Sequence, residues 1–344
     1  RLRDEWLKAK ESRSGSRHTR RAYEKATNDW LDFLSEQRPP VQPWQVDTSH
    51  VRAWKEHLAE RGLSANTINA RLAACSSWYT FVINERHLVG GVERTAFFDA
   101  AGRTRANPFK TGNVPRERVH SYKRARPLSV RNVNALLTYL QGRQHLLTGS
   151  RNYALILTFL LTGWRNQEVV SMRWGDIRES RTQPGAYVFR WKGKGGKEGN
   201  AALPVRAYHA IVHHLRVAGR WLPGHPDHIA DDDYIWQPLI THGLTNLNNQ
   251  KEVPQNTHIS TGTALQILRR SLRAAGVDDW QEYRIHDLRH TFAHRLHATT
   301  GDLEKLRQLL HHESLGTTGI YVREVLEDPI DDWSEGLYQS MLHI

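Results

Sequence analysis

Near its C-terminal end the chain runs His286-Asp287-Leu288-Arg289-His290, with His312 and then Tyr321 following. These residue types, in that order, suit chemistry at phosphorus. A phenol is almost wholly protonated at neutral pH, its reference pKa being about 10. A tyrosine that attacks phosphate therefore needs neighbours that manage its proton and neutralise the phosphate. Histidine and arginine meet those needs, and a second arginine is expected elsewhere. Thr162-Gly163-Trp164-Arg165-Asn166-Gln167-Glu168 supplies one at the end of an apolar run. Planar guanidinium forks grip phosphate bidentately and stay charged, so the expected role of Arg165 and Arg289 is to stabilise charge that develops in the transition state.

Competing readings exist for each residue taken alone. A single Arg165 could be an ion-pair arginine and a single Tyr321 a core ring. His286, His290 and His294 recur at every fourth position, with His297 beyond, which could form a metal-binding face. Zinc enzymes with paired helical histidines usually place a Glu beside the first. Here the neighbour is Asp287 and no third ligand is implied. Order and spacing together favour phosphodiester chemistry.

The same motifs resemble those of the tyrosine recombinase (phage integrase) family. Thr162-Gly163-x-Arg165-x-x-Glu168 resembles its first arginine box, and Gly193-Lys194-Gly195-Gly196-Lys197 its β-hairpin lysine. His286-x-x-Arg289-His290 resembles the second box, and Leu310-His311-His312 through Tyr321 the last. Two departures are visible: His311 stands where a glycine is usual, and Gly199 where an arginine often follows the hairpin lysine.

The resemblance implies an α-helical N-terminal core-binding domain followed by a mixed α+β, mainly α, catalytic domain. It implies a catalytic set of Arg165, Lys194, His286, Arg289, His312 and Tyr321. Lys194 would be the general acid, with Lys197 as runner-up; Glu168 and His290 would be supporting residues. Tyr321 would be joined covalently to a 3′ phosphate, and strand exchange would pass through a Holliday junction without metal or other cofactor. The implied partners are double-stranded DNA carrying paired binding sites and three further copies of the chain, with accessory DNA-bending proteins also possible partners. A DNA-relaxing enzyme of the type IB topoisomerase kind and a catalytically inactive DNA-binding relative are the alternatives.

The formal charge of +12 and pI of about 9.9 call for an anionic partner, and the excess is concentrated in residues 1–126. A lone cysteine, Cys75, excludes an intrachain disulfide and suits a reducing interior, with the residue expected in a helical core. No stretch approaches the roughly 20 apolar residues of a membrane span, and no signal-peptide core opens the chain, so a cytoplasmic, DNA-associated protein is expected. An N-terminal piece beyond Arg1 stays an open question.

These side chains need elements to place them. Thr19–Leu34, Ser49–Arg61 and Thr67–Ile83 show helical spacing, the last with an N-cap at Ser64-Ala65-Asn66. Asn66, Thr67, Asn69 and Arg71 in its polar leading turn are candidates for major-groove contacts. Of the 12 tryptophans, Trp30, Trp54 and Trp78 fall at core positions of these helices, so core anchoring explains them better than base stacking.

The domains expected are a helical one over 1–101, a basic linker over 102–126, a catalytic domain over 127–323 and a tail helix over 324–344 that, as the resemblance implies, docks on a neighbouring protomer. Within the catalytic domain a helix starts after Pro127-Leu128-Ser129, and a buried helix over Tyr153–Thr162 delivers Arg165. Ala186–Trp191 and Ala201–Pro204 read as paired strands, and residues 221–262 as irregular. The pairs His213/His214 and His225/His228 read as solvated.

Overall fold

Helices dominate, and their starts are written in local chemistry. The computed structural model describes residues 2–15, 17–89, 91–95, 97, 103–118, 126–192, 198–226, 228–239, 256–300 and 303–310. The chain divides into two units, Arg1–Ser121 and Tyr122–Ile344.

The first unit contains α1 (Leu2–Ser14), α2 (Arg17–Glu36), α3 (Thr48–Glu60) and α4 (Ala65–Asn84), then an antiparallel hairpin of β1 (Arg86–Val89) and β2 (Val92–Thr95). Asp47 caps α3 by accepting from the Ser49 and His50 amides, and Ser64 caps α4 by accepting from the Thr67 amide. Neither α1 nor the hairpin is predicted by periodicity. Along α1 only Trp6 and Leu7 are fully buried, too few to show a helical repeat.

The core of this unit is aromatic. Trp30 packs on Trp54 at 4.9 Å and on Phe109 at 5.2 Å between ring centroids, and Tyr79 closes on Phe109 at 5.1 Å. Cys75 is buried beside them, and burial pushes its thiol pKa up.

Phe109 and Val114 belong to this core, although both lie in the basic stretch expected to be a linker. Residues 103–118 form a strap. Asn107 donates to the Ser76 carbonyl and the Thr80 hydroxyl, both at 2.9 Å; Arg52 donates to the Asn113 carbonyl; and Lys55 reaches the Pro115 carbonyl at 2.7 Å. Composition marks this stretch as a basic linker, and the two apolar residues within it decide where the strap lies.

The second unit is built on α6 (Leu147–Thr162), whose residues from Ala154 to Leu160 are all buried. A helix apolar on all sides is one that others surround. Around it pack α5 (Val130–Gln141), α8 (Val205–Val217), α9 (Thr261–Ala274) and α10 (Ile285–Thr300). Short α7 (Asn166–Val170) follows α6, and α11 (Leu303–Leu309) follows α10. A three-stranded antiparallel sheet in the order β3-β4-β5 joins Ile177–Glu179, Tyr187–Lys192 and Glu198–Leu203. Its last two strands match the expected pair, the first shifted by one residue and the second starting three residues earlier.

Residues 228–239 carry no helix or strand but bury Ile229, Ile235 and Trp236. Of the four histidines expected to be solvated, His214 is buried in α8. Its Nδ1 lies 3.1 Å from the Ser150 hydroxyl, and burial holds its pKa down to about 3. His228 is also engaged, its Nδ1 accepting from the Leu222 amide at 3.0 Å.

Candidate active site

The first arginine is delivered by a helix end. The α6 helix stops at Gly163, whose φ of +61° is the left-handed cap conformation, and a Cβ there would come within 2.3 Å of the Phe292 ring. Glycine is required on both counts. Trp164 then buries against Phe189 at 4.6 Å, fixing the turn. Arg165 caps α7, and the buried Glu168 carboxylate accepts from both its backbone amide and its guanidinium, each at 2.9 Å. The Arg165 side chain stays about half exposed, so Glu168 orients a guanidinium that still faces solvent.

Arg289 is buried instead. One guanidinium nitrogen donates to the Gly163 carbonyl and the other to the Leu310 carbonyl, both at 2.7 Å. One side chain thus ties together the α6 cap, helix α10 and the segment that leads to His311 and His312. The bonds are backbone-directed, so the fork fixes chain geometry as well as charge.

His286 is exposed in the first turn of α10, and its ring meets that of His290 edge to face at 4.7 Å. Desolvation of the ring lowers the His286 pKa, and the charges of Arg289, Arg165 and Arg284 lower it further. The exposed ring keeps part of its hydration, and the three guanidinium charges stand around it. The buried His290 is held down to about 3, chiefly by desolvation. Both rings are neutral at pH 7, and the His286 ring can accept a proton.

The structure therefore brings Arg165, Glu168, His286, Arg289 and His290 together. Lys194, Lys197, His312, Tyr321 and the tail 324–344 lie outside the described residues. Gly199 has a local explanation: it pairs with Trp191 across β4 and β5, and a Cβ there would come within 2.6 Å of the indole. An arginine at 199 would displace that ring. Among the described residues no group of three or more His, Cys, Asp or Glu is placed to hold a metal ion. No helix among them is long and apolar enough to cross a membrane.

In the first unit Asn66 is exposed, while Thr67 bonds the Ser64 cap. Asn69 and Arg71 are occupied. Asn69 donates to the Glu117 carbonyl at 2.9 Å and accepts from the Glu117 amide at 2.8 Å, and the buried Arg71 pairs with Asp29. Asp29 also holds Arg61 at 2.7 Å. Sequence reasoning missed these partners because Glu117 and Asp29 lie far from α4 along the chain.

Residues 126–327 match the phage integrase family, and residues 4–86 match the phage integrase N-terminal SAM-like domain. A tyrosine recombinase XerD from Rickettsia bellii (strain RML369-C) is 25% identical over 311 residues, covering 90% of this chain and 89% of that protein. Among solved structures, XerH site-specific recombinase bound to a palindromic difH substrate in a post-cleavage complex aligns with a TM-score of 0.65 at 17% identity, covering 94% of this chain and 79% of that one. A lambda integrase tetramer bound to a Holliday junction aligns with a TM-score of 0.59 at 15% identity, covering 96% and 78%. These two likenesses are of fold. The larger family match spans more than half of the sequence and contains Arg165, Glu168, His286 and Arg289, and on that ground the chain belongs to the phage integrase family of tyrosine recombinases.

Proposed function

We propose that the protein cuts and rejoins double-stranded DNA at specific sites through a covalent 3′-phosphotyrosyl intermediate on Tyr321. The Tyr321 oxygen attacks phosphorus, the bond to the 5′ oxygen breaks, and Lys194 gives that oxygen its proton. Arg165 and Arg289 stabilise the charge on the non-bridging oxygens. His286 and His312 assist the tyrosine proton and bond one of those oxygens. The phosphotyrosyl ester conserves the energy of the broken bond, so joining to a second strand needs neither ATP nor metal.

The observation that best supports this reading is Arg289, whose two carbonyl bonds join the first arginine box, the second and the segment before His312. The match of residues 4–86 to a phage integrase N-terminal domain favours recombination over DNA relaxation.

By likeness to the lambda integrase tetramer on a Holliday junction, four copies act on two duplexes, with the tail 324–344 docking on a neighbouring protomer. Asn66 and Thr67 lead the groove contacts of α4, while Asn69 and Arg71 hold that helix in place. Chromosomal or mobile-element DNA is the site of action, and DNA-bending proteins are possible helpers.

The test is a nicked suicide substrate run on a denaturing gel. Wild type gives a covalent band in the presence of EDTA, and Tyr321→Phe binds the DNA yet gives none. An undiminished band from Tyr321→Phe would refute the assignment.

A further inference from the structure

Helix α10 carries a second row of polar side chains that the chemistry does not use. Asp287, Thr291 and Arg295 stand four residues apart, hence on one face, and are only 3%, 1% and 9% exposed. Buried polar groups cost stability unless they are paired. These are paired with the main chain of residues 126–128, where the connector enters the second unit. The Asp287 carboxylate accepts from the Arg126 amide at 3.3 Å and, with its other oxygen, from the Arg284 amide at 2.7 Å. The Thr291 hydroxyl accepts from the Leu128 amide at 2.8 Å and donates to the Asp287 carbonyl at 2.7 Å. Arg295 donates to the Leu128 carbonyl at 3.4 Å.

An apolar face would hold a connector by area alone and let it slide. Three successive hydrogen bonds to main-chain atoms set its register. Asp287 stands between His286 and Arg289, so the residue that anchors the connector shares the first two turns of α10 with two of the proposed catalytic groups.

We infer that Asp287 and Thr291 are positioning residues: they bolt residues 126–128 to α10, and the placement of His286 and Arg289 depends on that bolt. A connector displaced from α10 leaves the Asp287 carboxylate and Thr291 hydroxyl without their partners, and the first turn of the helix loosens. The inference rests on the recombinase reading only for its catalytic consequence.

The test changes the connector rather than the buried helix. In the full chain, Arg126→Pro removes the amide that Asp287 accepts, whereas Arg126→Ala keeps it; both lose the ion pair between Arg126 and Glu282. Proline is tolerated there because residue 126 already precedes Pro127 and is held extended.

Relative to Arg126→Ala, Arg126→Pro is expected to exchange its backbone amides faster over residues 285–292. At saturating DNA it is expected to form the covalent adduct about fivefold more slowly, the scale of one hydrogen bond, with an unchanged half-saturating DNA concentration. Thr291→Ser, which keeps the hydroxyl, is expected to retain the adduct rate that Thr291→Val loses.

Equal exchange in the two Arg126 variants overturns the inference. So does a change confined to the half-saturating DNA concentration, since the connector would then serve binding alone. A wild-type chain that forms no adduct refutes the recombinase reading instead, and the exchange comparison still decides this one.

Discussion

The two units use polar side chains in opposite ways. The first packs tryptophan, phenylalanine and tyrosine into its centre and buries few polar residues, among them Thr27, Arg71 and Asn107. The second has a mainly aliphatic core and buries Glu168, His214, Asp287, Arg289, His290 and Arg295. A unit that grips a long polyanion needs its charge outside, where it meets phosphates and stays sensitive to salt. A unit that must hold a reacting phosphate to within a fraction of an ångström needs some of its charge inside, tied to backbone carbonyls that would otherwise wander.

Four substitutions or conditions test that contrast. The largest effect is expected from Trp54→Ala, which opens a cavity beside Trp30 and Phe109 and should cost about 3–5 kcal/mol. Amide exchange should rise through α2–α4 and stay unchanged through α5–α10. Equal loosening of both units would mean that their cores are not separate.

Next comes Arg289→Lys, because an ammonium cannot reproduce a planar fork that reaches two carbonyls. Adduct formation on the nicked substrate should fall by about 10²–10³-fold. A rate near wild type would show that the buried arginine is only structural.

Acid should separate the units. His214 and His290 have folded pKa values near 3, both depressed mainly by burial. The unfolded reference is about 6.5. For depressed groups the stabilising contribution is complete above the unfolded pKa and is lost as pH falls from about 6.5 towards 3. The first unit has a different acid-sensitive group in Asp47, held down to about 2 first by its bond from Ser49, so its contribution is lost only as pH falls from about 3.8 towards 2. Urea titrations followed by exchange should show the second unit weakening between pH 6.5 and 4.5 while the first holds. Parallel decline would break the contrast.

The smallest effect is expected from Asn69→Ala, which removes two hydrogen bonds to Glu117 and should cost about 1–2 kcal/mol locally. Trypsin should then cut faster after Arg116 and Arg118. An unchanged cutting rate would mean that Phe109 and Val114 alone hold the strap.

Much of this was legible in the sequence, for identifiable reasons. Helices α2, α3 and α4 repeat apolar residues every three or four positions, and α4 also starts at the cap residue Ser64, so all three patterns and that one boundary could be read. The order of Arg165, His286 and Arg289 marked the site because few chemistries need that set.

What could not be read is what those side chains hold. The partners of Arg289 are carbonyls of Gly163 and Leu310, and a carbonyl has no residue type to find. Asn69 and Arg71 stand in a polar leading turn, and that pattern does not reveal that Asn69 bonds Glu117 of the strap or that Arg71 pairs with Asp29 of α2. His214 read as solvated because Ser150 and Trp236, which enclose it, are remote in the chain.

The strap also fixes where such a protein can be divided and recombined with its relatives. A chimera spliced near residue 101 would take the helices of one parent and leave behind Phe109, which fills the space among Trp30, Trp54 and Tyr79. The grafted unit would carry a hole at its centre, and the foreign replacement would bring a side chain shaped for other walls. A join after Arg118 moves plug and socket together. Residues up to Arg118 then transfer as one inheritable block, with their core intact.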